Sequence, residues 1–167
     1  MSFEIKRGEV LGLVGESGSG KSTVGRSLLR LVSVTDGQIE FDGTDVTRLE
    51  GNGLKSMRRR MQMIFQDPFA SLTPRMTVFD TLAEPLLLHG IEDRKSVSQA
   101  VLTLMDDVGL ARSAVRKYPH EFSGGQRQRA WIAMTLAQKT QILLLDEPTT
   151  FLDIAHQVEI LDLLYDL

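Results

Sequence analysis

Eight consecutive residues, Gly15-Glu16-Ser17-Gly18-Ser19-Gly20-Lys21-Ser22, constrain the fold of this chain more than any other stretch. They match G-x-x-x-x-G-K-[ST], a pattern that works only with a buried strand before it and a helix after it. Both are expected in this chain. Residues 10–14 form a short apolar run from Val10 to Val14 that reads as a strand buried on both faces, and a helix is predicted from Lys21 to about Val32. Gly15, Gly18 and Gly20 allow the backbone to curl without Cβ clashes, turning successive N–H groups inward, and the helix N-terminus adds partial positive charge. Such a cradle suits a di- or triphosphate. Lys21 can reach the β- and γ-phosphates, Ser22 is placed to ligate the Mg²⁺ that bridges them, and Thr23 is the next helical residue. A glycine-rich turn could meet the pattern by accident, but the flanking strand and helix make that reading rare.

A second segment supplies acids. Ile142, Leu143, Leu144 and Leu145 form the apolar centre of a predicted strand over 141–146, which ends in Asp146-Glu147-Pro148. Two carboxylates therefore emerge at the C-terminal edge of a strand, where open α/β sheets bind ligands. Asp146 suits the Mg²⁺ shell through water, which leaves Glu147 to polarise an attacking water in line with a γ-phosphate. Taken alone, the pattern equally suits strand-end solubility. Joined to the loop at 15–22 it becomes a strong signal.

The remaining chain reads as an α/β domain with an all-helical stretch inside it. Phe3 and Ile5 alternate with polar residues before a Lys6-Arg7-Gly8 turn, and 37–42 and 61–65 are further strand candidates. Between them a basic helix is expected over about 54–60, with Arg58-Arg59-Arg60 as a solvated face. From Asp67 to about Tyr118 the texture is helical, and Val97, Val101, Leu104, Met105 and Val108 make one packing stripe. Ser123 opens another helix, while Ile154, Val158, Leu161 and Tyr165 mark the apolar face of a last one. No capping Gly or Asn follows, so the end at Leu167 is expected to be a cut. With 167 residues, 42% of them hydrophobic, one core with a small lobe is the natural size. Nineteen Lys plus Arg against 22 Asp plus Glu give a net charge of −3, so nucleic acid is not an expected partner. No apolar run approaches the roughly 20 residues of a bilayer span, and with no cysteine the chain has neither a disulfide framework nor thiolate metal ligands.

Ser123-Gly124-Gly125-Gln126, preceded by Phe122 and followed by Arg127-Gln128-Arg129, resembles the signature motif of ATP-binding-cassette ATPases. Its logic parallels the first loop, since a serine at a helix N-terminus followed by two glycines exposes backbone donors to an anion. The resemblance runs through the whole chain in the family order. It implies a P-loop NTPase (RecA-like) three-layer core with a parallel sheet over 1–66 and 119–167, and an inserted helical subdomain over 67–118. Gln66 matches the family's Q-loop glutamine, implied to contact Mg²⁺ and water. Asp153 closes a D-loop, Thr149-Thr150-Phe151-Leu152-Asp153, in which Phe151 replaces the usual small residue, and it is implied to contact an opposing subunit.

The implied assembly is a head-to-tail ATPase homodimer or heterodimer, bound to transmembrane permease subunits at the cytoplasmic face of the inner or plasma membrane. ATP and Mg²⁺ are the implied cofactors, and ATP hydrolysis driving solute import is the implied activity, with an ATPase of the family outside transport, or a truncated nucleotide-binding fragment with little turnover, as the alternatives. Residues 61–75 resemble the oligopeptide, dipeptide and nickel importer ATPases, whereas the part after Gln128 resembles ferric-siderophore importer ATPases. Either a divergent member or a sequence recombined at the shared Ser-Gly-Gly-Gln segment accounts for this.

The family further implies an adenine-stacking aromatic upstream of Met1 and a switch histidine on a strand beyond the last helix. His156, His89 and His120 are read as surface or packing histidines instead. That later strand normally lies between those ending at Val14 and Asp146, so a gap beside residues 10–14 is expected. At about 1.5–3 kcal/mol per buried residue against a net stability of about 5–15 kcal/mol, the chain is expected to be marginal alone and to turn over ATP poorly.

Overall fold

The computed structural model describes residues 1–65, 72–150 and 152–165. Gln66 and Phe151 therefore lie outside the described residues. The elements are α1 (Lys21–Leu28), β1 (Glu40–Phe41), β2 (Thr44–Asp45), α2 (Gly51–Arg60), β3 (Met61–Ile64), α3 (Val78–Leu88), α4 (Val97–Asp107), 3-10 turns at Arg112–Arg116 and Pro119–Glu121, α5 (Gly124–Ala137), β4 (Ile142–Leu145) and α6 (Ile154–Tyr165).

The architecture turns on the parallel pair β3–β4, in register from Met61 opposite Ile142 to Ile64 opposite Leu145. Side chains alternate across the two faces of this pair, as the period of a strand dictates. Met61, Met63, Ile142 and Leu144 pack with Leu29 and Met57 on the side of α1 and α2. Ile64 and Leu143 face the other way, into a cluster with Ile132, Leu82, Met105 and Ile160 from the helices. Helices thus cover both faces of an α/β sheet, which is the three-layer fold expected. Helix α1 sits close on β3, since a Cβ at Gly25 would lie 3.2 Å from Met63 Cε.

Local chemistry sets the helix ends. Thr77 and Asp80 form a reciprocal capping box at the start of α3, and Ser123 and Gln126 form another at the start of α5. Helix α1 stops at Leu28 rather than near Val32 because Arg30 adopts a left-handed conformation, with φ 54°. The Leu31 N–H then closes back on Arg26 O. Arg58 donates from Nε to Leu29 O and from Nη2 to Arg30 O, satisfying carbonyls at that helix end. Arg60 stacks over the Phe41 ring and pairs with Asp42. Arg58 and Arg60 therefore clamp α2 to α1 and to the β1 end, which their expected place on a solvated face did not foresee.

Other expectations fare unevenly. The stripe on α4 packs as predicted, with Val97, Val101, Met105 and Val108 buried. The strand proposed over 37–42 shrinks to β1, paired antiparallel with β2. Residues 10–14 form no ladder, and Val10 and Val14 are 93% and 94% exposed, so the strand buried on both faces is overturned. An apolar run becomes a buried strand only where a neighbouring edge offers backbone partners, and β3 and β4 pair with each other instead. On α6 the packed residues are Ile160, Leu163 and Leu164, while Ile154, Val158, Leu161 and Tyr165 are exposed. The helix carries two adjoining apolar stripes, and periodicity alone does not choose between them.

Candidate functional site

The two strands bring together segments that are far apart in sequence. The Asp146 N–H donates to Ile64 O at 3.0 Å, extending the ladder one residue past β4 and fixing the aspartate at the strand edge. There Ser22 Oγ, on the first turn of α1, donates to Asp146 Oδ1 at 2.9 Å across 124 residues of sequence. A hydroxyl and a carboxylate, both half-buried, thus converge at the start of the helix that follows the glycine loop.

The loop itself has the shape its sequence asks for. Gly18 and Gly20 take φ of 80° and 97°, in the left-handed region, and a Cβ at either would meet nothing within 4 Å. These glycines are required by backbone conformation, not by crowding. Gly15 is required by close approach, since a Cβ there would lie 2.7 Å from Ser19 Oγ. Ser19 N–H closes the turn on Glu16 O at 3.2 Å, and Glu16 and Ser17 are exposed on its outer side. Gly20 is the N-cap of α1, and no side chain caps that end, so the helix start presents uncompensated N–H groups. Lys21 Nζ folds back, donating to Gly15 O at 2.7 Å and Glu16 O at 2.8 Å. Thr23 is exposed on the same turn, and its carbonyl accepts from Ser27 Oγ.

This arrangement passes a chemical test for Mg²⁺-nucleotide. An uncapped helix N-terminus with a lysine beside it favours an anion. Ser22 and Asp146 offer hard oxygen ligands, and among the described residues no three His, Cys, Asp or Glu cluster to hold a metal by themselves. A divalent ion held here by Ser22 and Asp146 would complete its shell with oxygens from beyond these described residues, which suits Mg²⁺ with phosphates.

The acidic turn continues from Asp146. Glu147 has φ 49°, uncommon for a residue with a side chain, and its Oε2 accepts from Thr150 Oγ1 at 3.0 Å. The 147–150 turn is closed by Thr150 N–H on Glu147 O at 3.3 Å. Three residues later Asp153 Oδ1 accepts the His156 N–H at 3.0 Å, a helix-capping geometry for α6, and both carboxylate oxygens lie 2.8 Å from His156 Nδ1. The backbone hydrogen bond from His156, followed by that from its ring, holds the Asp153 carboxyl below the ordinary aspartate value.

The second glycine turn is self-contained. Ser123 Oγ accepts from the Gln126 N–H at 3.3 Å, and Gln126 Oε1 accepts from the Ser123 N–H at 3.1 Å. Gly125 is buried beneath the His156 ring, where a Cβ would sit 2.7 Å from Cδ2. A Cβ on Gly124 would lie 3.5 Å from Leu152 Cδ2. The structure therefore joins the predicted residues into two groups. Lys21, Ser22 and Asp146 gather around the first loop, and Asp153 reaches Gly125 of the second through His156. Two contributors escaped sequence reasoning, Thr150 on Glu147 and His156 on Asp153. The Asp-x-x-His spacing at the head of a helix was the available signal for the second.

Comparison with known proteins follows the same lines. The family description "ABC transporter" matches residues 1–150. A putative peptide import ATP-binding protein of Brucella ovis is 50% identical over all 167 residues, which span 53% of that protein. The oligopeptide transport ATP-binding protein OppF of Bacillus subtilis is 49% identical, with the whole chain covering 55% of it. The chain thus spans about half the length of the curated relatives it matches. Among solved structures, a dimeric ATP-binding cassette in a post-hydrolysis state, bound to ADP and Pi, superposes with a TM-score of 0.84 at 31% identity, covering 97% of this chain and 70% of that one.

Proposed function

The chain belongs to the ABC transporter family, and from that premise we propose that it binds and hydrolyses ATP as the nucleotide-binding subunit of an importer. The observation that carries this reading is the 2.9 Å hydrogen bond between Ser22 Oγ and Asp146 Oδ1, beside an uncapped helix N-terminus. Residues 15–22 cradle the phosphates by their backbone N–H groups. Lys21 exchanges the Gly15 and Glu16 carbonyls it now holds for β- and γ-phosphate oxygens. Ser22 and Asp146 are the residues that would hold Mg²⁺, with Gln66 joining them by family resemblance. Mg²⁺ supplies neutralisation of the charge that builds on the phosphates as the γ-phosphoryl bond breaks. Glu147, oriented by Thr150, accepts a proton from the attacking water.

The turn at 123–126 presents Ser123, Gly124, Gly125 and Gln126 to the γ-phosphate held by the opposing subunit of a head-to-tail dimer, and Asp153 faces the same interface. The likeness to a solved cassette described as dimeric supports a dimer. Residues 1–66 and 119–167 form the nucleotide-binding core, and 67–118 form the helical subdomain that meets the permease subunits at the cytoplasmic membrane face. Among the described residues no helix is long and apolar enough to cross a membrane. Relatives named for peptide and oligopeptide import match over the whole chain, which favours a peptide-like cargo over a ferric siderophore.

Replacing Glu147 tests its role as the proton acceptor. The Glu147→Gln variant is expected to bind Mg-ATP within about twofold of the parent while hydrolysis falls at least ~100-fold. Normal turnover in that variant excludes Glu147 from proton transfer.

A further inference from the structure

We propose that His156 is a positioning residue, a strut that carries the placement of Asp153, at the head of α6, to the glycine turn at 123–126 of the same chain. The inference deepens the proposed function and rests on it, because in a head-to-tail dimer these two segments of one chain serve different nucleotides.

The strut has two ends. At one, both Asp153 oxygens lie 2.8 Å from His156 Nδ1, so two contacts tie the ring to the carboxylate, and Oδ1 also accepts the His156 backbone N–H at 3.0 Å. At the other, the opposite edge of the ring lies on Gly125, with Cδ2 2.7 Å and Cγ 3.2 Å from where a Cβ would be. Only glycine allows the ring so close. Gly125 is buried, and the ring stands over the turn whose N–H groups the proposed function assigns to phosphate. Farther along the same pair of helices, Arg129 on α5 joins Val108 O, at the end of α4, to Glu159 on α6, with both contacts at 2.7 Å. Helix α6 is therefore docked on α5 at two points one helical turn apart, and the first sits at the glycine turn. A shift of Asp153 therefore presses or releases Gly125 through the ring.

His156→Ala removes both ends of the strut, whereas His156→Asn keeps a short side-chain N–H donor for Asp153. In the full chain, amide hydrogen exchange at Gln126 and Arg127, whose N–H groups bond Ser123, is expected to quicken about tenfold in His156→Ala, the scale of one lost hydrogen bond to a charged group. Exchange in His156→Asn is expected to stay near that of the parent. The kcat for ATP should fall about tenfold in His156→Ala with the Kd for Mg-ATP within twofold, and His156→Asn should recover most of it. Unchanged exchange and unchanged kcat in His156→Ala overturn the proposal. So does a parallel loss of melting temperature and nucleotide affinity in both variants, which marks a purely structural residue. If the parent binds no Mg-ATP while exchange at Gln126 and Arg127 still quickens in His156→Ala, the strut stands and the functional reading falls.

Discussion

Replacing Ser22 by alanine deletes one hydroxyl and tests the site twice, once without ligand and once with it. Without nucleotide, Ser22→Ala removes the 2.9 Å hydrogen bond to a half-buried carboxylate. Hydrogen bonds to charged groups contribute about 1.5–3 kcal/mol. Because the pair is only half-buried, the low end applies, about 1.5 kcal/mol. In a domain of this size that lowers the melting temperature by about 3–6 °C. A double-mutant cycle with Asp146→Asn should return a coupling of about 1 kcal/mol, as for residues in direct contact. With nucleotide, the same hydroxyl is the proposed metal ligand. The gain in ATP affinity that Mg²⁺ brings, measured by calorimetry with the metal present and then chelated, should shrink about tenfold in Ser22→Ala. Affinity for metal-free ATP should hardly change, since the backbone cradle is intact. A variant that melts like the parent and keeps the whole Mg²⁺ gain refutes the reasoning at both stages.

Three further outcomes follow from the packing. Arg58→Ala leaves Leu29 O and Arg30 O without their guanidinium donor, so the melt should show a loss of about 1–2 kcal/mol, together with weaker nucleotide binding because α1 carries the loop. Ile132 is fully buried and Val10 is 93% exposed, so denaturant titration should give about 2–5 kcal/mol lost for Ile132→Ala and under ~0.5 kcal/mol for Val10→Ser. Asp153 has its folded pKa depressed below 3.8, so its contribution is present above that value and is lost as pH falls through the lower folded value. The melting temperatures of the parent and Asp153→Ala should therefore converge as the pH falls below 3.8.

Sequence reasoning reached the site more fully than the core, and the reason is physical. The glycines at 18 and 20, Lys21, Ser22 and Asp146 are dictated by local backbone conformation and by chemistry, so residue type and spacing announce them. The Ser123–Gln126 capping box is likewise a local hydrogen-bond pattern readable at three-residue spacing. What failed depended on neighbours. Residues 10–14 have the composition of a buried strand, but burial needs a partner edge, which no local pattern specifies. Helix α6 is apolar on two adjoining stripes, and only its docking on α5 selects Ile160 over Leu161. Arg58 and Arg60 look solvated because charge is their visible property, whereas Arg58 works by N–H geometry against Leu29 O and Arg30 O and Arg60 by stacking on Phe41 and pairing with Asp42. His156 was passed over for the same reason, its partners being an aspartate one turn away and a glycine 31 positions before it in the chain.

The proposed activity stands on the cradle at 15–22 working together with Asp146. Calorimetric titration of Mg-ATP into the folded chain, alongside Lys21→Ala, tests it most directly. One-to-one binding by the parent and at least a tenfold weaker response in Lys21→Ala, about 1.4 kcal/mol, is the predicted result. A folded parent that takes up no Mg-ATP, or a Lys21→Ala variant that binds it equally well, contradicts it.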